Sequence, residues 1–247
     1  MKDQILIVGD IAGRYNELMK LVRKGRDQFG DFSLVSVGDL VDRGKDSDKV
    51  VEYFRMTDDA YAIKGNHEDM FIDFVKGDER YRKAFGWSVY LNNGGKTTIE
   101  SYYKRAVENA VIDPSVKLTD EQYEAMAESV PKEHIEFLES CPTFIEHEDS
   151  FGKIYITHAP IHPASDLERC KGYLLEDEWS LCWNRSPSKR IPGVDMQFHG
   201  HNANRDVEWN KDGQGVYGCN MDTSFGRKLT GVLWPSLETI EVDYQEI

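Results

Sequence analysis

No stretch of the 247-residue sequence stays apolar for long. The run near its start, ILIV at residues 5–8, is too short for a signal segment or a bilayer span, so a soluble cytoplasmic protein is expected. Cysteine is scarce. Cys141, Cys170, Cys182 and Cys219 form no CxxC pair, which speaks against a disulfide framework or a structural zinc site and for buried thiols in a reducing compartment. Positive charge is short as well: 30 Lys and Arg against 44 Asp and Glu leave a formal charge of -14. Such a surface repels nucleic acid and anionic membranes at long range, although a local cationic site can still bind phosphate. Linkers, repeats and low-complexity segments are missing, so residues 1–247 read as one domain with a helical insert at about 97–141.

What is present is a recurring pattern. ILIVGD (5–10), SLVSVGD (33–39) and AYAIKGN (60–66) are apolar runs that each close in Gly plus Asp or Asn. Continuous apolar runs of this length suit parallel strands covered on both faces. Each is followed by helical spacing: Tyr15, Leu18, Met19 and Val22, then Val50, Val51 and Phe54, then Met70, Phe71, Phe74 and Val75. The alternation predicts an α/β fold with crossover helices, in which functional side chains collect beyond the carboxyl ends of the strands. Asp10, Asp39 and Asn66 are therefore expected along one edge. KIYITHAP (153–160) and DMQFHGHN (195–202) read as further strands and bring His158 and His201 to the same kind of position. GVYGCNMD, LTGVLWP and TIEVDY read as later strands, expected to be antiparallel. Within the insert, Thr119 and Gln122 have capping-box spacing, and Pro131 suits a first helical turn.

Oxygen and imidazole ligands together favour zinc, manganese or iron over calcium or magnesium. A carboxylate shared by two such ions, about 3.5–4 Å apart, builds a centre that lowers the pKa of water and clamps phosphate oxygens. Hydrolysis then needs a proton for the leaving group and a cation for the phosphoryl oxygens. His67 can give the first, with Asp42 to orient it, and Arg43 offers a planar fork for the second.

GDIAG (9–13), GDLVDRG (38–44) and GNHE (65–68) resemble the three signature blocks of the phosphoprotein phosphatase branch of the calcineurin-like metallophosphoesterases. Within that branch the chain is most similar to the bacteriophage lambda-type protein phosphatases. The likeness runs from about residue 4 to 235 and takes in LNNGG (91–95), ITHAP (156–160), CWNRS (182–186), HGHN (199–202) and MDTSFG (221–226). It implies a metallophosphoesterase-type β-sandwich of mixed sheets flanked by helices, and a phage or bacterial origin. It also implies two divalent ions, manganese first with zinc, iron or nickel as alternatives. Asp10 and Asp39 would hold one ion, with Asp39 bridging to a second held by Asn66, His158 and His201. His67 would be the general acid, paired with Asp42, and Arg43 and Arg185 would clamp phosphate. The implied reaction is direct attack of a metal-activated hydroxide on a phosphomonoester. Lys64 stands where related enzymes often carry arginine. At Ala12 the family pattern, Gly-Asp-X-His-Gly, has a histidine ligand. With the rest of the set intact, the chain reads as a His-to-Ala substituted form with a weakened site.

Blander readings compete. Asp10, Asp39 and Asn66 could each cap a helix. His199 competes with His201 but is expected on the opposite face of its strand, and His162 has no informative spacing. His134 and His147, among acidic residues, read as solvated surface, Glu68 as a helix first-turn acid, and Phe71, Phe74 and Trp87 as core. Three functions follow in order: a protein serine/threonine phosphatase-like phosphomonoesterase, a nucleotide hydrolase (dinucleoside tetraphosphate, cyclic nucleotide or RNA-end phosphate), and a silent binder of phosphate ligands. The partner is thus a phosphorylated protein or a nucleotide.

Overall fold

Strand β1, Ile5–Val8, is buried along its whole length, and its side chains alternate between two hydrophobic layers. Ile5 and Ile7 face one cluster, Leu6 and Val8 another. That is the period-2 consequence of an apolar strand covered on both faces. A computed structural model of the chain describes residues 1–77, 86–107, 110–113, 115–161 and 178–245. Cys170 and His162 lie outside the described residues.

Helix α1 (Tyr15–Phe29) returns the chain to β2 (Ser33–Ser36), α2 (Ser47–Met56) to β3 (Ala60–Ala62), and α3 (Asn66–Lys76) leaves that strand. β1, β2 and β3 pair in parallel, as the repeated pattern predicts. β9 (Lys228–Trp234) pairs antiparallel with β1, and β10 (Thr239–Asp243) with β9, completing the order β10-β9-β1-β2-β3. A second sheet runs β4-β5-β6-β8-β7, from β4 (Phe144–Asp149), β5 (Gly152–Thr157), β6 (Met196–His199), β7 (Glu208–Asp212) and β8 (Gly215–Asn220).

Ile5, Ile7, Val35 and Val37 of the first sheet meet Ile154, Ile156, Met196 and Phe198 of the second. Leu18, Leu21, Phe54 and Phe71 from α1–α3 cover the outer face of the first. Each of these fully buried aliphatic or aromatic side chains contributes roughly 1.5–3 kcal/mol by leaving water. The result is two mixed sheets flanked by helices, the fold class the sequence predicts. Phe71, Phe74 and Trp87 are core, as read. Between the two sets of strands lie helices Lys96–Ala106, Asp120–Ala127 and Lys132–Ser140, and the Thr119–Gln122 capping box is formed. Pro131 takes the cap position, one residue outside the turn expected for it.

Three expectations need correction. β8 pairs antiparallel with β7 as read but parallel with β6, and β9 and β10 are antiparallel as read. β4 and β7 were not expected as strands, because their segments FIEHED and EWNKD are largely polar; both close the second sheet as edges, where charged side chains are suited. His134 is buried, not solvated, and bridges Tyr102 Oη (3.0 Å) and Glu52 Oε2 (2.9 Å). His147 is half-buried beside Asp149 at 3.2 Å. Cys141, Cys182 and Cys219 are free and buried, and burial pushes the Cys141 thiol up to about 12. Among the described residues no helix is long and apolar enough to cross a membrane.

Candidate metal centre and phosphate pocket

Asp10 lies just beyond β1, Asp39 beyond β2, Asn66 opens α3 after β3, His158 follows β5, and His201 follows β6. The carboxyl ends of strands from both sheets thus deliver one side chain each to a single rim. Asp10, Asp39 and His158 offer ligand atoms within 4.8 Å of one another. Asn66 Oδ1 is 2.9 Å from both His158 Nε2 and His201 Nδ1, those nitrogens are 3.1 Å apart, and His158 Nε2 is 3.3 Å from Asp39 Oδ1. The expected residues are brought together.

The donor chemistry decides what such a cluster can hold. His158 Nδ1 is 2.9 Å from the Val37 carbonyl, which can only accept, so Nδ1 carries the proton. Burial lowers the His158 pKa, so the ring is neutral and its Nε2 lone pair faces the Asn66 and Asp39 oxygens. Burial, then His158, brings His201 down to about 3, and His201 Nε2 is buried without a hydrogen-bond partner. Burial pushes Asp39 up, but His158, His67 and Arg43 outweigh it and hold the carboxyl below its usual range. Burial, with Asp222 and Asp39, drives Asp10 well above the usual carboxylate range. Electron-rich atoms in mutual contact, away from water, are unfavourable unless a cation lies among them. The residues fit divalent metal.

The backbone is bent to make the rim. Ala12, Asp39, Asp42, Arg43 and His201 all have φ between 49° and 73°. Non-glycine residues in that region are strained, and the strain concentrates here. Any side chain at Gly200 would strike Asp10 Oδ1, and one at Gly65 would strike Asp39 Oδ1, so both loops need glycine to approach so closely.

His67 stands beside the cluster, its Nδ1 2.5 Å from Asp42 Oδ2 and its Nε2 3.8 Å from Asp39 Oδ2. Thr98 Oγ1 donates to Asp42 Oδ1 at 2.6 Å and accepts from the Asp42 N–H at 2.8 Å, while the Tyr90 hydroxyl donates to the same carboxylate at 3.3 Å. Burial lowers the His67 pKa, but Asp39 and Asp42 more than offset it, and the net direction is up. Arg43 Nη2 donates into His67 Nε2 at 2.8 Å, a contact that needs the neutral ring. Asp42 and Arg43 therefore pull His67 in opposite directions.

A cavity of about 720 Å³ opens over the cluster and is lined by Asp10, Ala12, Asp39, Asn66, His67 and His201 together with Arg43 and Arg185. Arg185 makes only long contacts, 3.4 Å to the His201 carbonyl and 3.3 Å to Asn202 Oδ1. Lys64 does not line this cavity. His199 bonds Ser188 Oγ at 2.8 Å, away from the cluster, as expected of the opposite face.

Glu68 lies in the first turn of α3 as read, but it is wholly buried and its carboxylate binds the loop. It accepts from the N–H groups of Asp39 (2.8 Å), Leu40 (2.7 Å), Val41 (3.2 Å) and Gly65 (2.8 Å). Burial and Asp39 push it up to about 7, against these donors. Asp222, Thr98 and Tyr90 were not foreseen. Asp222 falls within MDTSFG, which carried resemblance without a role; Thr98 and Tyr90 had no signal at all.

Residues 4–205 match the calcineurin-like phosphoesterase family, and the chain belongs to it. Over 94 residues it is 39% identical to serine/threonine-protein phosphatase 1 of Salmonella typhimurium, covering 37% of this chain and 38% of that protein. It is 26% identical to the asymmetrical bis(5'-nucleosyl)-tetraphosphatase PrpE of Geobacillus sp., over 97% of this chain and 94% of that one. The fold matches the crystal structure of a provisionally assigned diadenosine tetraphosphatase with a TM-score of 0.61 at 21% identity, covering 99% of this chain and 95% of that one. It also matches a cold-active protein-tyrosine phosphatase from a psychrophilic Shewanella at 0.56 and 17%, over 98% and 80%.

Proposed function

We propose that the chain hydrolyses phosphomonoesters at this rim in the manner of protein serine/threonine phosphatases. The carrying observation is the convergence of Asp39, Asn66, His158 and His201 beside the His67–Asp42 pair. Asp10 and Asp39 would hold one divalent ion, and Asp39, Asn66, His158 and His201 another, with manganese the metal of choice. When bound, the pair supplies an activated water and neutralises charge on the phosphoryl oxygens.

The chain's own groups do the rest. Arg43 and Arg185 orient the phosphate by bidentate contact. A phosphate that takes the Arg43 fork releases His67 Nε2, and Asp42 then favours the imidazolium. His67 gives that proton to the leaving oxygen. The rate on poor leaving groups should fall as pH rises through the raised His67 pKa, because the acid form is the one required.

Position 12 is read as a substituted, activity-weakened site. Ala12 is buried at the cavity wall with φ 49°, a region that histidine enters more readily than most residues. A second reading, hydrolysis of a dinucleoside tetraphosphate, is favoured by the end-to-end similarity to the PrpE tetraphosphatase. The partner is a phosphorylated protein in the first case and a nucleotide in the second, within the cytoplasm of a bacterial or phage-infected cell.

The test compares the present chain with Ala12→His in manganese, on a phosphopeptide, diadenosine tetraphosphate and a cyclic nucleotide. Ala12→His should raise turnover about 10–100-fold, the scale of a perturbed metal site, with the phosphopeptide fastest. A faster tetraphosphate selects the second reading. Equal and negligible rates in both forms would overturn hydrolysis and leave a binder of phosphate ligands.

A further inference from the structure

Four arginines line the cavity, although the chain as a whole is strongly acidic. Arg43 and Arg185 belong to the scissile phosphate. Arg14 and Arg227 do not. Arg14 stands immediately before α1 with its guanidinium over the Tyr244 ring, 3.7 Å from carbon to centroid. The stack fixes the plane of the guanidinium. Arg14 Nε and the Tyr244 hydroxyl are both buried without a hydrogen-bond partner. Buried donors left unpaired are costly and rare, and both belong to residues that line the same cavity. Arg227 closes the Ser224–Gly226 turn in the left-handed region, φ 57°, and also lines the cavity.

We propose that Arg14, Tyr244 and Arg227 form a second anion subsite, which takes the outer phosphates of a polyphosphate chain whose scissile phosphate lies over the Asp10–Asp39 cluster. The proposal rests on the second reading above and names what that reading requires. The stacked Arg14 guanidinium, the Arg227 guanidinium at the cavity wall and the Tyr244 hydroxyl, all donors, match an acceptor-only group presenting several oxygens. Because both subsites line one cavity, a short chain of phosphates has a route from one to the other. A phosphopeptide would have to bring a separate acidic side chain to the same place.

The test measures binding by calorimetry, with manganese in fixed excess and hydrolysis of each titrant followed in parallel, so that binding and turnover are read separately. Orthophosphate, inorganic tripolyphosphate, diadenosine tetraphosphate and a phosphopeptide with a neighbouring acidic residue are compared on the full chain. Tripolyphosphate should bind at least about tenfold tighter than orthophosphate, and Arg14→Gln or Arg227→Gln should each lower that ratio about five- to tenfold. Tyr244→Phe, which keeps the ring under Arg14, should lower it about two- to threefold. Thermal unfolding confirms that each variant is folded. Diadenosine tetraphosphate tighter than tripolyphosphate points to a nucleotide as the source of the chain; equal affinities point to inorganic polyphosphate, and either supports the subsite. Binding that persists where nothing is hydrolysed keeps the subsite and removes the catalytic reading. The proposal fails if the present chain shows no preference for tripolyphosphate, if both arginine variants keep the preference, or if the phosphopeptide binds tightest.

Discussion

The two sides of the candidate centre are unequally furnished. Around Asn66, the side chains of His158 and His201 crowd within 3.1 Å, and the His158 ring is fixed by a backbone carbonyl. Around Asp10 the ligand atoms of Asp39 and His158 lie within 4.8 Å, the His201 N–H is 3.3 Å from each carboxylate oxygen, and Ala12 adds only a methyl group to the cavity wall. Yet the backbone of both sides is equally strained, Ala12 at φ 49° and His201 at φ 67°. On the reading proposed above, the loop at position 12 would keep a shape suited to the histidine of the family pattern. Scaffold and chemistry would then be separable, the fold holding the rim open with position 12 unfilled. Asp39 stands between the two sides, and three experiments probe the contrast.

The largest effect is expected from Asp39→Asn. If Asp39 serves both sides, weakening it should abolish the occupancy of both ions and lower turnover by about 10³-fold or more, as expected when several kcal/mol of charge stabilisation are lost. Metal content by mass spectrometry, alongside turnover, checks it. One ion retained at full occupancy would show that the sides are independent.

Next comes the contrast itself. In the present chain His158→Ala should reduce metal content more than Asp10→Asn does, if the Asp10 side is the weaker binder that the proposed reading of Ala12 makes it. The difference should be about tenfold in affinity, the scale of one perturbed ligand contact. Adding Ala12→His should narrow it. Equal losses in both backgrounds would mean that position 12 does not belong to the centre.

Legibility in the sequence divided along the same physical lines. The parallel strands β1, β2 and β3 could be read because β1 and β2, buried on both faces, and β3, exposed only at Tyr61, leave largely apolar runs, and the Gly-Asp and Gly-Asn closures put Asp10, Asp39 and Asn66 at their ends. β4 and β7 could not, since an edge strand needs charge on its free side and then resembles a loop. His134 was read as surface because its neighbours in sequence are acidic, but burial is set by Tyr102 and Glu52, 32 and 82 residues away. The same holds for the groups around Asp42: Thr98 reaches it across 56 residues, from a helix whose local pattern announces nothing about the site. Arg14, next to a signature block but outside it, showed its unpaired Nε only in three dimensions.

The smallest effect is expected at Glu68, which binds the backbone of Asp39 but none of the candidate ligand atoms. Its four N–H contacts hold the Asp39–Val41 loop against the start of α3 and so set the position of the shared carboxylate. Glu68→Gln keeps the volume but turns an NH₂ group towards two of those donors. The substitution should lower stability by about 1–3 kcal/mol, the cost of leaving buried donors unpaired. Thermal unfolding of the metal-free chain reads this term alone. Metal affinity should fall on both sides together, since the displaced atoms belong to Asp39 and to the loop that carries it. A loss confined to one side would mean that Glu68 acts through Asn66 and α3 instead, and not through the shared carboxylate.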